Sequence, residues 1–319
     1  MPVRCAVIDD YQDAARRFGD WGRLGDRVEL AVFRDHLDDE DAVAERLGPF
    51  DVVVVMRERT PFPASLLERL PRLRLLVTSG MRNAALDLEA SRRRGITVCG
   101  TASSSEPPVE LTWSLVLGLS RHLVQESTAL RDRAEWQSTI GADLHGSTLG
   151  LLGLGKIGTR VARIGVAFGM DVVAWSQNLT ANRAEAAGVR LATSKEELLA
   201  ASDVVSVHLV LSERTRGLLG AAELAHMKPT AFLVNTSRAA IVDEDALLAA
   251  LRTGRIAGAG LDVFPEEPLP LESPFRDLPN VLATPHLGYV TERNYRQYFG
   301  QAVDDVEAYL DGAPVRTLT

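Results

Sequence analysis

The chain has 319 residues, 46% hydrophobic and 24% charged, the make-up of an ordinary globular protein with core enough for about two domains. Its net charge of −8, with the basic residues scattered, argues against nucleic acid or an anionic membrane as partner. Met1 to Asp10 is too short and too acidic for a signal peptide, no apolar run reaches membrane-spanning length, and no His/Cys cluster has zinc spacing. A cytoplasmic, metal-free protein is therefore expected.

Strands and helices alternate through the first third. Strand-like apolar runs occur at 3–8, 28–33, 52–56, 75–78 and 96–99, with helical patterns at 12–18, 37–47, 63–70 and 84–94. Pro63 and Ala64 suit a first helical turn, Gly95 suits a helix C-terminus, and Arg92-Arg93-Arg94 reads as a solvated helix end. Cys5 and Cys99 each lie in a strand run, where a lone cysteine acts as a small buried hydrophobe. Five strands with intervening helices predict one parallel, doubly wound sheet.

The segment Thr101-Ala-Ser-Ser-Ser-Glu-Pro-Pro108 breaks the composition, and a long apolar helix is expected from Val109 to Leu123, leading into a second domain. Trp136, in an irregular stretch, suits either a subunit interface or a plug of the cleft. A fresh strand–helix series follows, with six strands expected at 148–153, 172–175, 204–209, 231–235, 259–262 and 281–283. A long helical pattern from Thr291 to Leu310 is expected to pack back on the first domain. The fold class is thus α/β, two doubly wound parallel-sheet domains: five strands, a flavodoxin-like count, over 1–102 plus 288–319, and six strands, the count of a Rossmann fold, over 103–287.

The first strand of the second series runs into Gly153-Leu-Gly155-Lys-Ile-Gly158, a G-x-G-x-x-G turn opening a helix. The first glycine permits the tight turn, the second lets backbone approach a pyrophosphate, and the third lets helix pack on strand; the helix N-terminus adds partial positive charge. About twenty positions on, an acidic residue is expected to meet the adenosine ribose. Here Ser176-Gln177-Asn178 stands instead, which removes the repulsion against a 2′-phosphate and admits NAD or NADP; the nearest downstream base is Arg183.

Ligands of open α/β sheets bind outside the carboxyl ends of the strands. Arg238, Glu267 and His286 each follow such an end. Singly they read as a surface ion-pair donor, a loop carboxylate before proline and a capping histidine. Together they make a set suited to carbonyl reduction. Histidine exchanges protons near neutral pH, a carboxylate on its second ring nitrogen fixes the tautomer, and a guanidinium pairs in a fork with a substrate carboxylate.

On these residues the chain resembles the D-isomer-specific 2-hydroxyacid dehydrogenases over essentially its whole length. The matching pieces are Gly150 to Gly158, Val234-Asn-Thr-Ser-Arg238 with Ile241 to Leu247, Gly260 to Pro268, and Thr284-Pro-His-Leu-Gly288. The resemblance implies interconversion of a small D-2-hydroxy acid and its 2-oxo acid with NAD or NADP. Arg238 would bind and polarise the 2-oxo acid, His286 would be the acid/base, and Glu267 would orient it. Asp262 would contact the nicotinamide carboxamide, and Lys156 and Ile157 would approach the pyrophosphate. Ser176, Gln177, Asn178, His208, Leu209, Thr236 and Gly288 complete the expected cofactor contacts. A homodimer formed through the helix near 109–123 and its neighbours is also implied. Glu267 distinguishes the chain from the similar formate dehydrogenases, which carry Gln there, and the short tail speaks against a regulatory domain.

The chain departs from the family in the first-domain loop, where Met81 and Arg82 replace smaller residues beside Gly80. Arg82 with Arg57 would bind a second anionic group of the substrate, while Met81 reads equally as packing. Ala239 stands where Gly is common and Val210 where Pro is common; neither change removes a catalytic group. A dinucleotide-sensing binding protein or corepressor is the alternative on the same fold, and a phosphite oxidoreductase is a weaker one.

Overall fold

The computed structural model describes residues 1–134 and 136–318; Glu135 and Thr319, each within an expected domain span, lie outside the described residues. The chain divides into two compact units, Met1–Ser104 with Val290–Thr319, and Ser105–Tyr289.

The first unit is built on a parallel sheet of five strands, β1 (Val3–Val7), β2 (Val28–Val32), β3 (Val52–Val55), β4 (Leu75–Thr78) and β5 (Thr97–Gly100), in the order β2-β1-β3-β4-β5. Every residue of β3 and β4 is buried, as parallel strands covered on both faces require. Between the strands lie α1 (Ala15–Phe18), α2 (Glu40–Leu47), α3 (Ala64–Glu68) and α4 (Leu88–Arg93).

These helices are shorter than their apolar periodicity predicts, and carboxylates set several of the N-termini. Asp39 and Asp87 are extended N-caps accepting from the amides of Ala42 and Ala90, so neither helix propagates backwards to Leu37 or Ala84. Asp10 accepts from the amides of Ala14 and Ala15, which confines α1 to its last turn. Pro63 stands at the cap rather than inside α3. Both cysteine side chains are buried, and burial pushes the Cys5 thiol up to about 12.

The second unit opens with α5 (Glu106–Ser120) and α6 (Leu123–Arg131). The expectation that α5 begins at Val109 is corrected: Pro107 and Pro108 sit in its first turn, where a missing N–H breaks no intrahelical bond. Its strands are β6 (Thr148–Leu152), β7 (Asp171–Trp175), β8 (Arg190–Leu191), β9 (Val204–Val207), β10 (Phe232–Asn235), β11 (Gly258–Leu261) and β12 (Val281–Ala283). They are parallel in the order β12-β11-β10-β9-β6-β7-β8. Seven strands replace the expected six, because β8 is a two-residue edge strand too short to carry a hydrophobic pattern. The connecting helices include α7 (Lys156–Ala167), α8 (Ala181–Ala186), α9 (Lys195–Ala201), α10 (Ala221–Leu224) and α11 (Glu244–Arg252). The strand order reverses between β6 and β9, which places a crevice at their carboxyl ends. Among the described residues no helix is long and apolar enough to cross a membrane.

The last helix, α12 (Glu292–Leu310), belongs to the first unit and buries Tyr298, Phe299 and Val306 there. It also buries Asp305, whose Oδ1 accepts from Arg316 Nε at 3.0 Å. Burial pushes the Asp305 carboxyl up to about 7, against the opposing pull of the Arg316 guanidinium. The folded-state value lies above an ordinary Asp value of about 3.9, so the folded protein binds this proton more tightly than the unfolded chain does. Stability from this group is therefore full below pH ~4 and is lost as pH rises through the folded value near 7. Asp305→Asn should flatten that part of a pH–stability curve measured by urea unfolding; an unchanged slope would contradict the assignment.

Candidate active site

The glycine turn at the end of β6 has the geometry its three glycines predict. Gly153 has φ +103°, a left-handed conformation, and a Cβ there would lie 2.6 Å from the carbonyl oxygen of His208. Its N–H donates to Trp175 O at 2.9 Å, which closes the turn onto β7. Gly155 caps α7, and a Cβ built on it meets nothing within 4 Å, so this face of the turn is open. Gly158 lies in the first turn of α7, where a Cβ would collide with the Gly153 carbonyl. A turn open at Gly155 and leading into the N-terminus of a 12-residue helix fits a dinucleotide pyrophosphate. Lys156 is exposed beside it and Ile157 is half-buried.

Two further segments flank this turn. His208 follows β9, its Nε2 lies 2.9 Å from Ser206 Oγ, and burial pushes its imidazole down to about 4. The ring is therefore neutral at physiological pH and adds no charge to the crevice. Leu209 accepts at its carbonyl from Ser237 Oγ at 2.5 Å, which ties the β9 and β10 ends together. After β7, Ser176 is half-buried while Gln177 and Asn178 are exposed, so no carboxylate stands at this strand end.

The three charged candidates, Arg238, Glu267 and His286, lie in the segments that follow β10, β11 and β12. Asn235, the last residue of β10, is buried; its Oδ1 accepts from Ser237 N at 3.0 Å and its Nδ2 donates to Arg238 O at 3.0 Å. That amide folds the chain so that Arg238 leaves the strand in extended conformation, with a guanidinium N–H donating to Ser237 O at 2.8 Å. Thr236 Oγ1 meets Thr112 Oγ1 of α5 at 2.8 Å.

Glu267 and His286 are brought into direct contact. His286 Nδ1 lies 2.6 Å from Glu267 Oε2, and Glu267 Oε1 accepts from the Phe264 amide at 2.9 Å. Both side chains keep about a quarter of their surface, 24% for His286 and 29% for Glu267, so the pair is reachable. The ring also lies edge-on to Tyr289, with centroids 5.4 Å apart.

His286 has φ +52°, a left-handed conformation that costs a non-glycine residue about 1–3 kcal/mol when the surroundings must impose it. Asp262 supplies the constraint. It follows β11 and is wholly buried. Its Oδ1 accepts from Thr284 Oγ1 and Leu287 N, both at 2.7 Å, and its Oδ2 from Gly288 N at 2.8 Å. Burial pushes its carboxyl up, while those donors and nearby His286 hold it down. Asn235 and this role of Asp262 escaped the sequence reading. Their only signal is a polar residue closing an otherwise apolar buried strand.

In the first unit the loops after β3 and β4 bring Arg57 and Gly80 together. Gly80 has φ +95°, and a Cβ there would collide with the Arg57 guanidinium. The Arg57 amide donates to Ser79 Oγ at 2.9 Å, and the Gly80 amide donates to Thr101 Oγ1 at 3.0 Å. Met81 and Arg82 are exposed at the tip of the same loop. Among the described residues, no group of three or more His, Cys, Asp or Glu is placed to hold a metal ion.

Residues 113–288 match the family model described as D-isomer specific 2-hydroxyacid dehydrogenase, NAD binding domain. The chain is 39% identical over 256 residues to a glyoxylate reductase of Aeropyrum pernix, covering 77% of this chain and 76% of that protein. It is 35% identical over 274 residues to a D-3-phosphoglycerate dehydrogenase of Bacillus subtilis, covering 85% of this chain but only 51% of that longer protein. The crystal structure of a phosphoglycerate oxidoreductase from Vibrio cholerae O395 superposes with a TM-score of 0.92 at 38% identity, covering 98% of this chain and 100% of that one. The chain belongs to the D-isomer specific 2-hydroxyacid dehydrogenases, oxidoreductases acting on 2-hydroxy acids with a nicotinamide dinucleotide.

Proposed function

We propose that the protein interconverts a small D-2-hydroxy acid and its 2-oxo acid, with His286 as the acid/base. The observation that carries this reading is the 2.6 Å contact between His286 Nδ1 and Glu267 Oε2. With Nδ1 committed to the carboxylate, Nε2 is the ring atom left to exchange a proton with substrate oxygen. In the reductive direction the 2-oxo carbonyl gains a hydride at carbon and the His286 proton at oxygen, and the product is the alcohol. Bound nicotinamide supplies or accepts the hydride. Arg238 pairs with the substrate carboxylate and polarises the neighbouring carbonyl. Glu267 holds the ring in one tautomer and favours the imidazolium that forms in the oxidative direction.

The substrate class is a 2-oxo acid of the size of glyoxylate or hydroxypyruvate. With the Gly80 amide committed to Thr101, the following backbone amides of Met81 and Arg82 in the first unit would hold the acid's carboxylate. Arg57 and Arg82 would favour those members of the class that carry a second anionic group, such as a phosphate or a distal carboxylate. The cofactor contacts are Gly153, Gly155, Lys156, Ile157, Gly158, the 176–178 turn, His208, Leu209, Thr236, Asp262 and Gly288. The cytoplasm suits a chain whose two cysteines are both free and buried.

A homodimer is part of the same reading. No residue of α6 is buried, and Leu123, Val124 and Leu130 on it are each more than half exposed, with Trp136 and Ile140 exposed nearby in sequence. Apolar side chains grouped in this way mark an association surface.

Three outcomes test these assignments. His286→Ala should lower kcat by about 10²–10⁴-fold with NADH or NADPH binding retained, and Glu267→Gln should lower kcat in the same direction. Arg238→Ala should cost about 1.5–3 kcal/mol in kcat/KM for 2-oxo acids. Full activity in His286→Ala would remove it from the acid/base role. For the dimer, Val124→Lys with Leu130→Lys should convert a sedimenting dimer to monomer; a wild type already monomeric at micromolar concentration would exclude it.

A further inference from the structure

Between the first turns of α7 and helix α8 opens a pocket of about 510 Å³. It begins at Leu154, Gly155 and Lys156, the residues of the glycine turn itself, so it is continuous with the place a pyrophosphate would take. Four basic side chains line it, Lys156, Arg160 and Arg163 from α7 and Arg183 from α8, and no carboxylate does. Arg160 is engaged, donating to Lys156 O and pairing with Glu106 at 3.1 Å. Lys156, Arg163 and Arg183 are exposed, and among the described residues none of the three has an acidic partner. Three cations held together without counter-charge repel one another, and an anion seated among them relieves that repulsion.

The strand end that leads into α8 points to which anion. In this fold a carboxylate after the second strand meets the adenosine ribose and excludes a phosphate at its 2′ position. Ser176, Gln177 and Asn178 present a hydroxyl and two amides there instead. The chain then turns through α8 and brings Arg183 back against the α7 cations. A phosphate monoester carries about −1.5 to −2 charge at pH 7, and a guanidinium fork matches its oxygens.

We infer that this pocket is the subsite for the 2′-phosphate of the adenosine ribose, with Arg183 and Arg163 as the residues that make the protein prefer NADP to NAD. The inference rests on the dehydrogenase reading and names its cofactor.

Calorimetry with 2′,5′-ADP and 5′-AMP isolates the 2′-phosphate from nicotinamide and from turnover. Wild type should bind 2′,5′-ADP about tenfold or more tightly than 5′-AMP at low salt. The Arg163→Ala, Arg183→Ala double variant should bring the two affinities together, and its NADPH-to-NADH ratio of Kd, read by nicotinamide fluorescence, should rise toward one in step. Equal affinity for the two probes in wild type, or a double variant that weakens both alike, would overturn the subsite. A preference for 2′,5′-ADP without turnover of any 2-oxo acid would leave the subsite standing while the dehydrogenase reading fails. Turnover with equal probe affinities would do the reverse.

Discussion

The position of His286 depends on a carboxylate that solvent does not reach. Asp262 closes the buried strand β11 and takes up the Thr284 hydroxyl and the Leu287 and Gly288 amides on either side of the histidine. A buried carboxylate is costly unless it is hydrogen-bonded, and these donors are what make it tolerable. In exchange, the loop after β12 is clamped around His286 at φ +52°, with the ring turned onto Glu267. Without that clamp the strained residue would relax toward an ordinary backbone conformation and the 2.6 Å contact would have no reason to persist.

The same economy recurs around the sheet. Parallel strands put all carboxyl ends on one edge, so chemistry gathered there requires only that each strand be followed by the right turn. β6 is followed by glycines that clear space, β9 by a neutral His208, β10 by the Asn235-organised turn to Arg238, and β11 and β12 by the Asp262–His286 clamp. The reversal of strand order between β6 and β9 opens the crevice at the glycine turn. The contacts proposed for cofactor and substrate thus come from neighbouring strand ends on one scaffold, and each can vary while the core stays the same.

Much of this was legible before any coordinates. Hydrophobic runs located every long strand, and the glycine spacing announced a turn whose open and crowded positions the structure reproduces at Gly155 and Gly158. What stayed hidden has physical causes. Helix starts moved because Asp10, Asp39 and Asp87 bind amides locally, an effect that periodicity does not carry. β8 has two residues and no pattern to detect. Asn235 and Asp262 act through buried hydrogen bonds between segments far apart in sequence, and Arg183 acquires meaning only where α8 folds back on α7.

The central claim is that this strand-edge site moves a hydride between nicotinamide and the 2-carbon of a small acid. It is tested most directly by incubating the protein with glyoxylate or hydroxypyruvate and NADH or NADPH deuterated at C4 on one face, then reading the hydroxy acid by mass spectrometry. The account predicts one deuterium on C2 of the product when the label is on one face of the ring and none when it is on the other. Hydroxy acid formed without deuterium from either face, or no hydroxy acid from any 2-oxo acid tried, would contradict it.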